Sequence, residues 1–225
     1  MKGTEHRKGI LICLVGIDGA GKSTLAKSLI SIAEEEGMKF SYVWGGFNDS
    51  FTIFRPFIAV AKGLVFRGNK HMEESGTKGR ALKSSRLSTI YQYLALVDYI
   101  FQAFHRISLP LAIGTSVICD RYIYDLTNSI GVLLDYPADR TLALLDRCLG
   151  FLPKPDLVFL IDLPEALAYQ RKPDTISLDS LSVRRETYLQ MAQQYGMTML
   201  DGSSEPGELA RLVEETVLSC IAGES

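Results

Sequence analysis

Between a short apolar run at 10–15 and a stretch with helical spacing lies Gly16-Ile17-Asp18-Gly19-Ala20-Gly21-Lys22-Ser23-Thr24, a full match to G-x-x-x-x-G-K-[ST]. No other segment narrows the fold so far. Such a loop works only where a strand meets the N-terminus of a helix. Its glycines must turn successive N–H groups inward, and the helix must bring its positive end to the same oxygens. At average residue usage a chance match arises in roughly one chain of this length in a hundred, and the flanking strand and helix make coincidence rarer. The chemistry it predicts is the cradling of ATP. Gly16, Asp18, Gly19, Ala20, Gly21, Lys22, Ser23 and Thr24 would surround the phosphates, with Lys22 bridging the β and γ oxygens and Ser23 ligating Mg²⁺. Asp18 would repel phosphates if it faced them. It is expected either to point toward a neighbouring acceptor site, accepting a hydrogen bond from a sugar hydroxyl, or to cap the adjacent helix.

The remainder of the chain alternates short apolar runs with longer helical patterns, the signature of parallel strands joined by crossover helices. Strands are expected at 10–15, 40–44, 116–119, 157–161 and 198–200, and helices at about 22–36, 51–66, 81–106, 137–149, 178–195 and 206–221. Several strands are almost continuously apolar, as strands covered on both faces are. The stretch 67–79 reads as a surface loop, and the 225 residues read as one domain. In the 81–106 helix, Leu87, Ile90, Leu94, Val97, Phe101 and Phe104 form one apolar line and Tyr93, Leu96, Ile100, Ala103 and Ile107 a second. One line can cover the sheet. The other needs a second layer within the subunit or a helix-to-helix homodimer interface.

Twenty-four basic and 26 acidic side chains give a formal charge of −2, so no overall positive field exists to hold nucleic acid or an anionic membrane. Small anions must be caught locally. Cys13, Cys119, Cys148 and Cys220 lie far apart with no C-x-x-C pair, which suggests reduced thiols in a cytoplasmic protein rather than zinc or disulfides. The apolar run at 10–15 is too short for a signal peptide, and no window has the length of a membrane span.

The third expected strand ends in Cys119-Asp120-Arg121-Tyr122. Ligands of open parallel sheets lie beyond the carboxyl ends of the strands, so Asp120 comes to the same edge as the glycine loop. There a carboxylate can hold Mg²⁺, and Arg121 can grip a phosphate with its planar fork. The loop, this turn, the segment Pro155-Asp156-Leu157-Val158-Phe159-Leu160-Ile161-Asp162-Leu163-Pro164, and the closing portion with Arg185, Tyr188, Gly196 and Asp201-Gly202 together resemble thymidylate kinases. The resemblance covers about residues 8–40 and 116–220. It implies a P-loop three-layer α/β/α fold with a five-stranded parallel sheet of order 2-3-1-4-5. It also implies ATP·Mg²⁺ as donor, a nucleoside monophosphate, dTMP, as small-molecule acceptor, and a lid at about 171–185. On the family pattern a residue such as Ala20 in the loop goes with lid arginines, for which Arg171 and Lys172 are placed, unless they simply close a solvated helix end. Arg184 and Arg185 are further candidates, or simply an exposed helix face.

The departures gather in the acceptor pocket. Where the family has Arg-Glu-Pro after the second strand, this chain has Trp44-Gly45-Gly46-Phe47-Asn48, with Arg55 the nearest substitute or else a surface charge. A stacking phenylalanine and an arginine near Asp98 are replaced by Ala95 and Tyr99. A serine and a Tyr-Gln pair are replaced by Asp125, Ser129 and Ile130. Arg55, Tyr99, Arg121, Tyr122, Asp125 and Asp18 are therefore the candidates for the acceptor side, and Lys22, Arg121 and Arg171 for charge stabilisation. Tyr91, Tyr93, Tyr99 and Tyr124 could stack on a base or belong to the core. His6, His71 and His105 have no ligand-like spacing. Asp125 keeps a second reading open. A hydroxyl acceptor of a nucleoside or other metabolite needs a carboxylate to take its proton, whereas at a helix start the same residue can simply answer the dipole. A third reading is a module in which ATP binding orders a loop for a partner.

Overall fold

The computed structural model describes residues 9–35, 38–46, 86–173 and 177–222, without the side chains of 86–88 and 91. The expected helix at 51–66, the loop at 67–79, Arg55, His6 and His71 lie outside the described residues.

Five strands, β1 (Leu11–Val15), β2 (Phe40–Trp44), β3 (Ser116–Asp120), β4 (Leu157–Asp162) and β5 (Thr198–Asp201), form one all-parallel sheet of order β2-β3-β1-β4-β5. This is the order implied by the P-loop resemblance. All five side chains of β1 are buried. Because alternate strand residues point to opposite faces, both faces of the sheet must be covered there. Helix α1 (Lys22–Glu35) packs on β1, β2 and β3 and against the last helix. The sequence places Asp at the end of three strands, each one residue beyond the expected limit: Asp120, Asp162 and Asp201. All three stand on the sheet edge that carries the glycine loop.

Helix α2 (Arg86–Ala103) runs through a wider turn at Phe104–Ser108, in which the Leu109 N–H reaches back to the Phe104 carbonyl, into the short α3 (Leu109–Ala112). Pro110 supplies the reason, since it has no N–H to continue the regular ladder. The two expected apolar lines separate by environment. Leu96, Ala103 and Ile107 are buried, whereas Ile90, Val97, Phe101 and Phe104 are exposed, and Tyr93 joins the exposed side. No described helix is long and apolar enough to cross a membrane.

Helices α5 (Ala138–Leu149), α7 (Leu178–Tyr195) and α8 (Pro206–Ala222) fall close to the expected spans. Three others, α3 among them, lie outside the expected helix spans. Helix α6 (Glu165–Arg171) is only seven residues long. Helix α4 (Ile123–Leu134) has ten buried residues out of twelve, so it lacks the solvent face that makes a helix visible as a periodic pattern. Gly131, in its middle, would also argue against a helix. The structure gives that glycine a packing reason, because a Cβ there would lie 2.5 Å from Thr141 Oγ1 on α5.

Gly131→Val should therefore lower stability by about 2 kcal/mol in urea unfolding, as overpacking does. Adding Thr141→Ala should recover part of the loss. An unchanged midpoint in the single variant would contradict the close α4–α5 contact.

Candidate functional site

The loop after β1 takes backbone conformations that only glycine adopts easily. Gly16 has φ +143° and Gly19 φ +88°, and a Cβ at these positions would stand 2.6 Å from the Ile161 carbonyl oxygen and 2.7 Å from that of Ala168. Both are closed to side chains by conformation and by space. Ala20 is buried beneath the loop and its N–H donates to the Ile17 carbonyl at 3.2 Å, while Thr24 N–H returns to Gly21 O at 3.1 Å to start α1. The first turn of a helix has N–H groups without intrahelical partners. They lie at the loop beside Ser23, which is exposed.

Lys22 is buried, and its ammonium donates to the carbonyls of Gly16 at 2.9 Å and Ile17 at 2.7 Å. Burial, and then the nearby Arg121 cation, pull its pKa down to about 8, while Asp18, Asp125 and Asp120 oppose the shift. Ser23 Oγ donates to Asp120 Oδ2 at 2.5 Å. The β1–β3 register, Leu14 opposite Asp120, sets the two motifs side by side. Tyr42, which sequence reasoning missed, donates its hydroxyl to the same Oδ2 at 3.2 Å from the neighbouring strand. Burial and the Asp120 charge push the Tyr42 phenol up to about 12.

Asp120 Oδ1 is buried with no hydrogen-bond partner among the described residues. One carboxylate with an open oxygen beside one hydroxyl suits Mg²⁺, which keeps waters and phosphate oxygens in its shell rather than an all-protein cage. Among the described residues no three His, Cys, Asp or Glu side chains gather into such a cage.

Arg121 follows at φ +69°, a left-handed conformation costly for a residue with a side chain. Its Nη2 pairs with Asp18 and its Nη1 with Asp125 at 2.6 Å. Asp18, by burial alone, would titrate high. Arg121, Lys22 and Arg184 reverse that and hold it below the usual carboxylate range. Asp125 is buried and its Oδ1 also accepts from the Tyr188 hydroxyl at 2.8 Å. A turn of β3, the glycine loop, α4 and α7 are thus tied through one guanidinium. The turn is closed from below by Gly45, whose N–H donates to the Asp120 carbonyl at 2.9 Å.

The other expected residues fall in different places. Tyr122 is fully buried with its hydroxyl on the Pro153 carbonyl at 2.9 Å, so it supports the turn from the core rather than lining a cleft. Tyr99 is buried edge-on to Tyr122, its hydroxyl without a partner among the described residues, beside a narrow crevice formed with Val43, Trp44 and Gly45. Tyr124 belongs to the core and Tyr93 to the surface. Ser23 and Thr24 are exposed. Arg171 donates to the Gly202 carbonyl at 3.2 Å, beyond β5. Arg185 is locked to both Asp162 oxygens at 2.7 and 2.9 Å and to Glu165 at 3.1 Å, an ion-pair clamp between α7, β4 and α6. Arg184 donates to Ser129 Oγ at 2.9 Å.

No family profile matches the chain. Individual relatives do. A probable thymidylate kinase of Pyrococcus horikoshii is 32% identical over 200 residues, covering 84% of this chain and 85% of that protein. A probable thymidylate kinase of Sulfurisphaera tokodaii is 27% identical over 93% of this chain and 96% of its own length. A thymidylate kinase of Xanthomonas campestris pv. campestris is 26% identical over 95% and 85%.

Two outcomes follow from the geometry. Tyr42→Phe should raise the Mg²⁺ concentration needed for half-maximal ATP binding about tenfold or more, the usual effect of removing a hydrogen bond to a metal-holding carboxylate. An unchanged requirement in calorimetry would remove Tyr42 from the site. Lys22 is charged below about pH 8 and neutral above it. ATP·Mg²⁺ affinity should therefore fall as pH rises through that value, and binding there should take up a proton, detectable as a dependence of the heat on buffer ionisation enthalpy. A zero proton balance would contradict the lowered pKa.

Proposed function

The chain belongs to the thymidylate kinase family of nucleotide kinases, and from that premise we propose that it transfers the γ-phosphoryl group of ATP to a nucleoside monophosphate, dTMP giving dTDP. The observation that carries this reading is the joining of the glycine loop to the Asp120-Arg121 turn through Ser23 and Asp18. That joining supports donor-side and acceptor-side groups acting at one place.

Lys22 would exchange the carbonyls of Gly16 and Ile17 for β and γ oxygens, while loop N–H groups hold the same phosphates. Ser23 and Asp120 would hold Mg²⁺, which would supply positive charge to neutralise the transferred phosphoryl group. Arg121, aimed by Asp125 and Tyr188, would grip the acceptor phosphate with its fork. Asp18, displaced from the guanidinium by that phosphate, would accept a hydrogen bond from the acceptor's sugar hydroxyl. Catalysis of this kind is positioning and charge neutralisation. A lid in the first part of 171–185, ahead of the Arg185 clamp, would bring Arg171 toward the phosphates.

A phosphate acceptor arrives ionised and needs no general base. The environment of the carboxylates supports that acceptor over a hydroxyl. Asp125 is buried, with one oxygen accepting from both Arg121 and Tyr188. Asp18, held below the usual carboxylate range, is a poor proton acceptor.

ADP release should be followed across a panel of nucleoside monophosphates and nucleosides with ATP·Mg²⁺. The expected result is a response to dTMP and dUMP, with Lys22→Ala lowering turnover by about 10²–10³-fold or more. Turnover with hydroxyl acceptors alone, or near-full activity of Lys22→Ala, would overturn the reading.

A further inference from the structure

Helix α4 holds Asp125 against Arg121 near its start and ends at Leu134, roughly 14 Å further along its axis. Asp135 then takes a left-handed conformation, φ +51°, and the chain turns through Tyr136 and Pro137 into α5. This turn is fixed against α2, because the Tyr136 hydroxyl donates to Gln92 Oε1 at 2.6 Å. The three elements border a cleft of about 280 Å³, whose polar lining is Thr89, Gln92 and Tyr93 of α2, Tyr136 of the turn, and Arg140 and Arg147 of α5. Such a volume is about the lower end of small-molecule sites.

Two guanidiniums stand on one wall of this cleft. Arg140 lies over the Tyr136 ring, 3.7 Å from its centroid, a cation–π contact that orients it. Arg147 follows two helical turns later on the same face of α5, about 10 Å along it. Neither has an ion pair among the described residues. Asp146, the neighbour of Arg147, accepts instead from the Tyr195 hydroxyl of α7 at 2.6 Å. In a chain of formal charge −2, two cations without counter-charge on one concave wall are an exception. A polyvalent anion between them would remove their mutual repulsion and receive charge-assisted hydrogen bonds from both forks. On the facing wall Tyr93 is 57% exposed, which leaves an aromatic surface free for a ring.

We propose that this cleft is a second, non-catalytic site for a polyphosphate anion, in which Arg140 and Arg147 take the phosphate oxygens and Tyr93 stacks on a base where one is attached. No carboxylate stands among the described lining residues, so the site is built for the anion itself and not for its magnesium complex. Guanidiniums have only donors and suit phosphate oxygens. This assignment goes beyond the kinase reading and is independent of which acceptor the catalytic site takes.

The test is calorimetry without divalent cations on a Lys22→Ala background, which disables the glycine loop, titrated with inorganic tripolyphosphate and with CTP. One equivalent of each should bind, more weakly as salt rises. Adding Arg140→Gln or Arg147→Gln should lower that affinity about tenfold or more. In the wild-type background the same two substitutions should leave ATP·Mg²⁺ affinity unchanged, which a general loss of structure would not. Arg147, which is exposed and makes no hydrogen bond among the described residues, serves if Arg140→Gln does not fold. Equal affinity for the two probes assigns the site to the phosphate chain alone, whereas tighter binding of CTP that is lost in Tyr93→Ala assigns it to a nucleotide. No binding of either probe up to millimolar concentration, or binding unchanged in the arginine variants, would overturn the proposal. Turnover with nucleoside monophosphates reads the other site, so the two readings fail separately.

Discussion

The Arg121 guanidinium is the interaction on which the site depends. A cation this far from solvent needs compensating charge. Asp18 and Asp125 supply it from the glycine loop and from α4, and Tyr188 fixes Asp125 from α7. Removing either carboxylate would leave an under-compensated charge in the interior. The backbone at Arg121 is itself in a left-handed conformation, which persists only where the surroundings over-determine it. Packing, electrostatics and conformational cost therefore meet in one residue at the end of the third strand.

Parallel pairing explains how the other groups come within reach. A sheet of this order brings the carboxyl ends of β1, β3 and β4 to one edge, and the Leu14–Asp120 register fixes the height at which Asp120 meets Ser23. The acidic residues that close β4 and β5 stand on the same edge but have other work. Asp162 is occupied by Arg185, and Asp201 accepts from the Ser203 N–H and hydroxyl at 2.8 and 2.6 Å. Of the three strand-end carboxylates, only Asp120 has a buried oxygen without a partner among the described residues.

Much of this was legible in the residues alone, for identifiable reasons. Strand positions and the glycine loop could be read because burial on both faces and phosphate cradling each demand a particular local composition. Helix α4 could not, since a helix buried nearly all round has no polar face and carries Gly131 for packing rather than for a turn. Tyr42 was hidden because a cross-strand bond to Asp120 depends on register, which no local pattern records. The adjacent pair Arg184 and Arg185 looks alike in sequence. Only the fold separates a clamp satisfied by Asp162 and Glu165 from a cation that, among the described residues, is held by a single hydroxyl.

Gly45 bears on how such a pocket can diverge. A side chain there would overlap the Arg121 carbonyl oxygen. The bare segment after β2 and the tight turn after β3 are thus two halves of one fit, and neither can change alone. Grafting an Arg-Glu-Pro segment into this chain would displace the very arginine it was meant to assist. Any evolutionary path between the two pockets must move both neighbouring strand ends in concert.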